Sequence, residues 1–477
     1  MEVIILEIIG RSADSALILL QLFQCLLGVR LFHTIWLHLW NRRAGKARER
    51  EQLGLPLPPD AELPAVLIQI PTFNEGALVR RALAATLALD WPRDRMQVQV
   101  LDDSTNESAE LAREAVAEFR SNGLDVSLLQ RTNRAGFKAG ALKAGLERSY
   151  QPYIALFDVD YIPSADFLRR CMSPLISDPH LAFVQARCDF LNAAQNRVTR
   201  AQQVMLESHF AVEQPARSWA GRIVPFNSTC GIWRRSAIET AGGWQTNTLT
   251  EDLDLSYRAQ LAGWRALYLY TVGVPGELPE TLRVWRNQQF RWNKGYAQTA
   301  RKLIPRIWRM KLPLERKIEA FLHLGGPSFA VLKIAETPLW ATDIGLGTCS
   351  WVVLLPIMAF GLLQGIAGSL AIAYMSKSIL RPLREDPVNR GFWGLLGITI
   401  FTIGMHSYAG ATTTRGVLQA LIGRDSAFVR TPKRGALVGP DSAASLGRPL
   451  EDRPRSGAPR RQPLSRMVRR FSKRALG

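Results

Sequence analysis

Three long apolar runs near the two ends of the chain restrict what this 477-residue sequence can become. Residues 15–40 contain one charged side chain, Arg30, and residues 344–376 and 391–414 contain no Asp, Glu, Lys or Arg. A helix needs about 20 apolar residues to cross a bilayer, and each run is long enough. We therefore expect an integral membrane protein with a soluble domain between the first run and the other two.

The first run sets the orientation of the chain. Several basic residues follow it at once: Arg42, Arg43, Lys46, Arg48 and Arg50. Positive charge stays on the cytosolic side, and no cleavage site for a signal peptide follows, so residues 1–52 are expected to form an anchor whose carboxyl end is cytosolic. Arg30 should then face other helices or the membrane surface. After a linker at 53–64, residues 65–304 would form a cytosolic domain at a bacterial inner membrane or an equivalent plasma membrane.

The segment 319–343 is apolar but contains Lys333, Glu336, Pro327 and Pro338, so it could be a span or an interfacial helix. The carboxyl-terminal tail bears on this choice, since 15 Lys and Arg residues lie between Arg415 and Arg474. An interfacial helix would leave this tail in the cytosol, as the positive-inside tendency favours. We therefore expect interfacial helices at 305–343, transmembrane helices at 344–414 and a basic, disordered tail at 436–477.

Charge and cysteine content exclude several classes of protein. The net charge of +19 belongs largely to the tail, and no nucleic-acid-binding module accompanies it, so nucleic acid is not an expected partner. Membrane lipid is. The five cysteines are far apart and form no CxxC pair, which argues against a disulfide framework or a zinc site.

Strand and helix patterns alternate through the soluble part. Apolar, β-rich segments lie at 66–71, 98–103, 126–131 and 153–160, and amphipathic segments lie between them at 75–89, 107–122 and 138–149. This alternation is typical of βαβ units and predicts an α/β domain with a mostly parallel sheet. Ligands bind at the carboxyl ends of the strands in such sheets.

Two acidic motifs follow predicted strands. Asp102 and Asp103 end one strand, and Asp158 and Asp160 end another. Residues i and i+2 of an extended chain point the same way, so the second pair can bind one hard cation that also holds phosphate oxygens. Each motif alone is equally typical of an ordinary turn or strand end.

Two further motifs lie later in the chain. Asp252, in the TED sequence at 250–252, opens a predicted helix and could serve as a general base, although acids are common in a first helical turn. The QxxRW motif at 288–292 offers a tryptophan face for a sugar and an arginine for a diphosphate. An interfacial Trp and Arg belt is the alternative interpretation.

The order of these four motifs between membrane segments resembles the processive membrane glycosyltransferases of the family that contains cellulose, mannan and other β-glucan synthases. The resemblance covers residues 63–435 and is closest to the cellulose-synthase-like mannan and glucan backbone synthases. It also rests on PTFNE at 71–75, RAGFKAGAL at 134–142, FNSTCGIWR at 226–234, ELP at 277–279 and FVRTPK at 428–433. It implies a glycosyltransferase A-type domain that binds a nucleotide sugar.

The resemblance also assigns roles to individual residues. Asp252 would be the catalytic base, and Asp158 and Asp160 would bind Mg²⁺ or Mn²⁺. The residues implied for the nucleotide sugar are Thr72, Glu75, Asp103, Lys138, Asp158, Thr431 and Lys433. Those implied for the acceptor are Gln288, Arg291, Trp292, Glu251, Cys230 and Trp233. Residues 428–433, within the region 415–435, resemble the family's gating loop, which would place Thr431 and Lys433 in the cytosol.

One base and one metal give inversion, from an α-linked donor to a β-linked product. The resemblance therefore implies polymerisation of a β-glucan or mannan from UDP-glucose, with GDP-mannose as the second choice of donor, and movement of the product across the membrane. Arg430 replaces the usual hydrophobic residue of the gating loop, and no apolar run follows Lys433. A second copy of the chain or an accessory subunit could therefore complete a channel.

Two other functions remain open on the sequence. A non-processive transferase would add one sugar to a lipid, and QxxRW, which is associated with holding a growing chain, argues against it. A membrane scaffold or transporter would keep a degenerate domain, and the presence of all the proposed catalytic carboxylates argues against that.

Overall fold

The computed structural model describes residues 2–380 and 391–426, together with Thr431, Lys433 and Gly435. The predicted gating-loop positions 428–430 and 432, including Arg430, lie outside the described residues, as does the tail at 436–477.

Seven strands form one sheet in the soluble domain. They are β1 (Val66–Thr72), β2 (Met96–Asp102), β3 (Val126–Gln130), β4 (Tyr153–Leu156), β5 (Leu181–Phe190), β6 (Gly231–Arg234) and β7 (Arg265–Gly276). Their order is β3-β2-β1-β4-β6-β5-β7, and every neighbouring pair is parallel except the two that β6 makes with β4 and β5. The expected α/β fold with a mostly parallel sheet is confirmed.

Helices and short turns connect and cover the strands. The helices are α1 (Glu2–Leu53), α2 (Gly76–Leu87), α3 (Ser108–Ser121), α4 (Phe137–Glu147), α5 (Phe167–Ser177), α6 (Arg197–Glu207), α7 (Gln214–Trp219), α8 (Arg235–Thr240), α9 (Glu251–Leu261), α10 (Leu282–Arg309), α11 (Leu314–Gly325), α12 (Leu332–Gly345), α13 (Trp351–Leu380) and α14 (Phe392–Leu421). A π-helical turn, Ser208–Glu213, joins α6 to α7. Short 3₁₀ turns lie at Asp60–Glu62, Arg93–Arg95 and Gly326–Val331.

The sheet is buried on both faces. In β1, Val66, Leu67, Ile68 and Ile70 are each at most 1% exposed, because the helices that follow the strands pack on either side. This explains why the central strands read as nearly continuous apolar runs rather than as alternating ones. The polar residues that end these strands therefore lie at the rim of a rigid core.

Three of the described helices are long and apolar enough to cross a membrane: Glu2–Leu53, Trp351–Leu380 and Phe392–Leu421. They agree with the three apolar runs of the sequence and support a membrane protein. The helix α1 also extends well beyond the apolar run, and its carboxyl-terminal part packs on the soluble domain. A Cβ on Gly45 would lie 2.2 Å from the Trp219 ring, so the helix and the ring are in close contact.

The segment from α11 to α12 follows α1 in the opposite direction. The Arg30 Nη1 donates to Leu322 O at 2.9 Å, and the Phe23 and Phe329 rings lie 5.6 Å apart. After α12, the Ser350 hydroxyl donates to Asp14 Oδ2 at 2.6 Å. Arg30 thus faces protein, as expected. These contacts cover about 25 Å of α1 at 1.5 Å per residue, close to the thickness of a bilayer core.

The helix α13 then returns beside α1 in the same direction as α1. The Cys25 thiol lies 3.6 Å from Ile357 O, and a Cβ on Gly368 would lie 2.7 Å from Leu31. Farther along, Ile379 packs against the core of the soluble domain. The carboxyl end of α13 therefore lies beside this domain.

The helix α14 lies along the soluble domain rather than beside α1. Leu395, near its start, belongs to an apolar cluster with Ala373 and Trp285. Near its other end, Gln419 Oε1 accepts from Lys294 Nζ at 3.1 Å. The start of α14 therefore lies close to α10 and to the last turns of α13, and its end lies close to α10.

Candidate active site

A cavity of about 490 Å³ opens at the carboxyl ends of β1, β2 and β4 and extends to the starts of α9 and α10. Its wall contains most of the residues assigned from the sequence: Thr72, Glu75, Asp103, Lys138, Asp158, Asp160, Glu251, Asp252, Gln288, Arg291, Trp292, Thr431 and Lys433. Residues that lie up to 361 positions apart in the sequence, Thr72 and Lys433, therefore meet in one place. This is the ligand-binding edge expected of a parallel sheet.

The ends of β1 and β2 form one wall of the cavity. The Asp103 carboxylate accepts from Arg131, whose Nε lies 2.7 Å from Oδ1 and whose Nη2 reaches Oδ2. This two-pronged ion pair fixes the carboxylate plane. The buried Thr72 hydroxyl has no hydrogen-bond partner among the described residues, so it can serve a ligand.

A chain of polar contacts connects Asp158 to the start of α9. The Lys138 ammonium donates to Asp158 Oδ1 and, at 2.8 Å, to both the carbonyl and the hydroxyl of Ser228. The Ser228 hydroxyl donates to Glu251 Oε1 at 3.1 Å. Burial lowers the pKa of Lys138, but the charges of Asp158 and Glu251 outweigh it, so the pKa is raised and the ammonium stays charged.

A second lysine neutralises Asp160. The Lys433 Nζ lies 2.7 Å from Asp160 Oδ2 and also donates to Glu277 O. The backbone N–H of Glu277 donates to the same Asp160 oxygen at 3.0 Å, and the Glu277 carboxylate pairs with Arg81 at 2.8 Å. The loop that carries Lys433 is thus tied to the acidic end of the cavity.

Asp158 and Asp160 suit a divalent cation by the chemistry of their donors. Both side chains line the same cavity, and each carboxylate binds an ammonium group, from Lys138 and Lys433 respectively. Carboxylate oxygens with phosphate oxygens are the ligands that Mg²⁺ and Mn²⁺ prefer. The residues present therefore fit the predicted metal.

Asp252 has the properties of a general base. It is the second residue of α9, and its side chain lines the cavity. Burial and the charge of the neighbouring Glu251 raise its pKa to about 8, against the lowering effect of backbone N–H groups and Lys138. A carboxylate with a raised pKa removes a hydroxyl proton more effectively than an ordinary one.

The QxxRW motif lies on α10 and forms the opposite wall. Gln288, Arg291 and Trp292 line the cavity, and Arg291 Nη2 donates to Thr431 Oγ1 at 2.7 Å. Burial lowers the pKa of Arg291 to about 10. The motif is therefore in contact with the cavity and with a residue of the predicted gating loop.

Cys230 and Trp233 are not brought to the cavity. Both are fully buried, since Trp233 belongs to β6, which lies between β4 and β5 in the middle of the sheet, and Cys230 directly precedes this strand. Trp233 packs against Phe183, with ring centroids 4.4 Å apart. Their neighbours Ser228 and Thr229 line the cavity instead.

Sequence reasoning missed several residues that organise the site. Arg131 donates to the Asp103 carboxylate, and the backbone N–H of Glu277 donates to the Asp160 carboxylate. The Ser228 hydroxyl accepts from Lys138 and donates to Glu251. Ser228 has a φ of 66°, a left-handed conformation that is uncommon without glycine. Glu277 lies in the ELP segment, which supported the resemblance and was the available signal. Gln289, inside QxxRW, also lines the cavity, and its Nε2 has no partner among the described residues.

The fold and the cavity define a glycosyltransferase with an A-type domain. A family model described as glycosyltransferase like family 2 matches residues 64–295. A glucomannan 4-beta-mannosyltransferase of Arabidopsis thaliana is 38% identical over 393 residues, which cover 80% of this chain and 70% of that protein. This chain therefore belongs to the family 2 glycosyltransferases, in the cellulose synthase-like group, and is a hexosyltransferase. Membership implies a nucleotide-sugar donor and a glycan acceptor.

Two further similarities were found. A second glucomannan 4-beta-mannosyltransferase of Arabidopsis thaliana is 44% identical over 274 residues, which cover 56% of this chain and 51% of that protein. This chain thus spans about half the length of that relative. A solved mannosyltransferase of Pyrobaculum calidifontis, in complex with GDP-Man and Mn²⁺, aligns with a TM-score of 0.49 at 23% identity, over 75% of this chain and 98% of that chain.

Proposed function

We propose that this hexosyltransferase is an inverting, metal-dependent polymerase of a β-linked glycan. The observation that carries the proposal is the single cavity that contains Asp252, the pair Asp158 and Asp160, and Trp292. These groups supply a base, an acidic pair for a cation, and an aromatic face for a sugar ring.

The chain's own residues account for each part of the transfer. Asp252 removes the proton of the acceptor hydroxyl as that oxygen attacks the anomeric carbon from the side opposite the leaving group. A divalent ion held by Asp158 and Asp160 would neutralise charge on the departing diphosphate. Lys138 and Lys433, next to these acids, add positive charge on the same side. One displacement inverts the anomeric centre, so an α-linked donor gives a β-linked product.

We expect the donor to carry mannose, and GDP-mannose is therefore tested beside UDP-glucose. The support comes from relatives, since both Arabidopsis thaliana proteins are named glucomannan 4-beta-mannosyltransferases. This reverses the order of donors expected from the sequence. The residues that line the cavity recognise a diphosphate and a sugar but do not themselves distinguish the two bases.

A second cavity supports polymerisation and movement of the product. It has a volume of about 520 Å³, lies between α1, α6, α13 and α14, and shares Met205 and His209 with the catalytic cavity. The two cavities are therefore adjacent, and the second offers space for a product beside the catalytic cavity. Single-sugar transfer to a lipid would not need this second space.

The contacts of α1 support a particular membrane topology for the proposed function. The segment formed by the turn Gly326–Val331 and α12 would cross from the cytosolic side, α13 would return, and α14 would lie at the cytosolic surface. This differs from the sequence-based expectation, in which 319–343 is interfacial and both later runs span. The number of crossings stays even, so Lys433 remains on the same side as Asp160, as their ion pair requires.

The decisive experiment offers labelled GDP-mannose and UDP-glucose separately to the purified protein in lipid with Mg²⁺ or Mn²⁺. We expect a long product that an endo-β-mannanase degrades. A product sensitive only to a β-glucanase would overturn the donor assignment. Transfer of a single sugar to lipid would overturn polymerisation.

A further inference from the structure

Three metal-ligating side chains meet at the end of α13 that lies away from the soluble domain. Asp14 belongs to α1, Asp343 to α12, and Cys349 to the turn that joins α12 to α13. One oxygen of each carboxylate and the Cys349 Sγ all lie within 4.8 Å of one another. The 30 residues of α13 extend about 45 Å at 1.5 Å per residue, so these side chains are far from the catalytic cavity.

The two carboxylates are buried without a basic partner. Asp14 is 7% exposed and Asp343 is 0% exposed. Neither forms an ion pair with a Lys or Arg among the residues that the structure describes. Two negative charges this close repel each other strongly where water is excluded, so either a cation or a proton shared between them has to offset the charge.

The hydrogen bonds around these acids leave an oxygen for such a cation. Asp14 accepts from the backbone N–H of Ser350 at 3.0 Å and from its hydroxyl at 2.6 Å. The Asp343 Oδ1 accepts from the Thr348 hydroxyl at 2.7 Å. The Asp343 Oδ2, by contrast, is buried and has no hydrogen-bond partner within the described part of the chain. The adjacent Cys349 thiol is a weak donor, so it does not satisfy a buried carboxylate oxygen in full.

The chemistry of the donors favours zinc over the cations expected in the catalytic cavity. A thiolate with carboxylates suits Zn²⁺, whereas Mg²⁺ and Ca²⁺ take oxygen ligands. Tetrahedral Zn–O and Zn–S bonds of about 2.1 and 2.3 Å place neighbouring ligand atoms roughly 3.5 Å apart, so the side chains need to move together by roughly 1.3 Å at most. Cys349 is partly exposed, so a water molecule can supply the fourth ligand.

We propose that Asp14, Asp343 and Cys349 bind a zinc ion that ties α1 to the turn between α12 and α13. The thiol gives its proton to solvent when the ion binds, and the two charges of the ion offset those of the ligands. This ion is distinct from the Mg²⁺ or Mn²⁺ expected at Asp158 and Asp160. It stabilises the packing of α12 and α13 on α1, and it does not depend on the proposed polymerising function.

The test titrates Zn²⁺ into the full-length, tag-free protein in lipid after a chelator has removed bound metal. Asp343→Asn and Cys349→Ser are compared with Cys25→Ser, which changes a thiol at the contact of α1 with α13 but outside the site. Each ligand variant should weaken zinc binding by at least about 100-fold, since even the loss of a group that only orients a ligand costs about 10–100-fold. Cys25→Ser and Asp160→Ala should bind zinc at this site as the wild type does. Zinc should raise the thermal unfolding midpoint of the wild type and leave that of Asp343→Asn unchanged.

The reactivity of the Cys349 thiol gives a second readout, with the other native cysteines replaced by serine. Zinc should slow alkylation of Cys349 by about tenfold or more, and a chelator should restore the rate, because a metal-bound thiolate is shielded. This measurement needs no change at Asp343, so it decides the question even if Asp343→Asn does not fold.

Two results would overturn the proposal. Zinc binding and alkylation rates that do not depend on Cys349 or Asp343 would leave a proton shared between the two carboxylates as the explanation of their burial. Zinc binding that is lost in Asp160→Ala and kept in Cys349→Ser would assign the ion to the catalytic cavity.

Discussion

Lys433 and Asp160 lie 273 positions apart in the sequence, and the Lys433 Nζ is 2.7 Å from Asp160 Oδ2. The ammonium thus contacts a carboxylate that is expected to bind the metal. A cation held by Asp160 would compete with Lys433 for this oxygen, and the phosphate oxygens of a bound diphosphate would offer the lysine a new partner. The ion pair therefore links the predicted gating loop to ligand binding.

Replacing Lys433 with alanine should separate its competition with the metal from its interaction with the diphosphate. Without the competing ammonium, binding of Mn²⁺ to the protein alone should tighten, while turnover should fall because the diphosphate loses a positive partner. We expect a decrease in kcat of about tenfold or more. Metal titration, turnover and thermal unfolding would be compared with Lys143→Ala, an exposed lysine on α4 whose side chain is 58% exposed. Weaker Mn²⁺ binding in Lys433→Ala would contradict this account.

Asp252→Asn should abolish sugar transfer and leave nucleotide binding nearly intact, because the side chain keeps its shape and loses its basicity. Loss of a general base typically lowers the rate by about 10²–10⁴-fold. The matched control is Asp254→Asn, two residues on, where the carboxylate instead pairs with Arg258 at 2.8 Å and Lys302 at 2.7 Å. The control should lower the thermal unfolding midpoint. Equal losses of nucleotide affinity and turnover in Asp252→Asn would assign Asp252 to binding.

The pH dependence of kcat/KM should report the ionisation of Asp252. Asp252 must be ionised to act, and burial with the charge of Glu251 raises its pKa to about 8. The value of kcat/KM should therefore rise with pH, about tenfold per unit, and level off near pH 8. Glu251→Gln removes the negative neighbour, so it should move the midpoint to lower pH. A midpoint that stays the same in this variant would exclude Asp252 as the titrating group.

Activity should require Mg²⁺ or Mn²⁺. Asp158→Ala and Asp160→Ala should each weaken the metal-dependent binding of nucleoside diphosphate, since each removes an oxygen ligand for the cation. Calorimetry with and without metal measures this directly. Asp166→Ala, which changes an acid outside the cavity wall, should bind as the wild type does. Full turnover in excess chelator would show that no metal is needed.

The proposed topology can be tested with single cysteines in a background that lacks the other native ones. Cys349 lies between α12 and α13 and is partly exposed, and Ser426 follows α14. A membrane-impermeant thiol reagent should label Cys349 from outside intact cells, and Ser426→Cys only after the membrane is opened. Outside labelling of Ser426→Cys would reject the cytosolic placement of the loop. Protection of Cys349 in intact cells, with labelling only after opening, would reject the crossing by α12.

The sequence located the acidic residues of the candidate site where these residues follow a strand. The parallel sheet brings Asp103 and Asp158 to one edge, so periodicity together with acidic residues was sufficient to locate them. The residues that hydrogen-bond to these acidic side chains could not be predicted in the same way. Arg131 and Glu277 act through distances set by tertiary packing, and Ser228 through a left-handed loop that no local pattern indicates.

Two kinds of expectation depended on information that a sequence does not contain. Trp233 was assigned to the acceptor by resemblance, but a residue in the middle of the sheet is covered on both faces. Hydropathy predicted from length and composition that the α14 segment spans the membrane. Its packing against α10 depends on where the neighbouring helices lie, which hydropathy does not report.

The carboxyl-terminal part of α1 has a consequence for how this enzyme is made. The Glu49 side chain accepts hydrogen bonds from the backbone N–H of Thr271 at 2.9 Å and from its hydroxyl at 2.7 Å, at an irregular point of the edge strand β7. An unpaired strand edge is prone to aggregation. The anchor therefore completes the catalytic fold, and a soluble version trimmed before Gln52 would lack part of its own sheet edge. We therefore expect the catalytic domain to reach its full stability only when the carboxyl-terminal part of α1 is present.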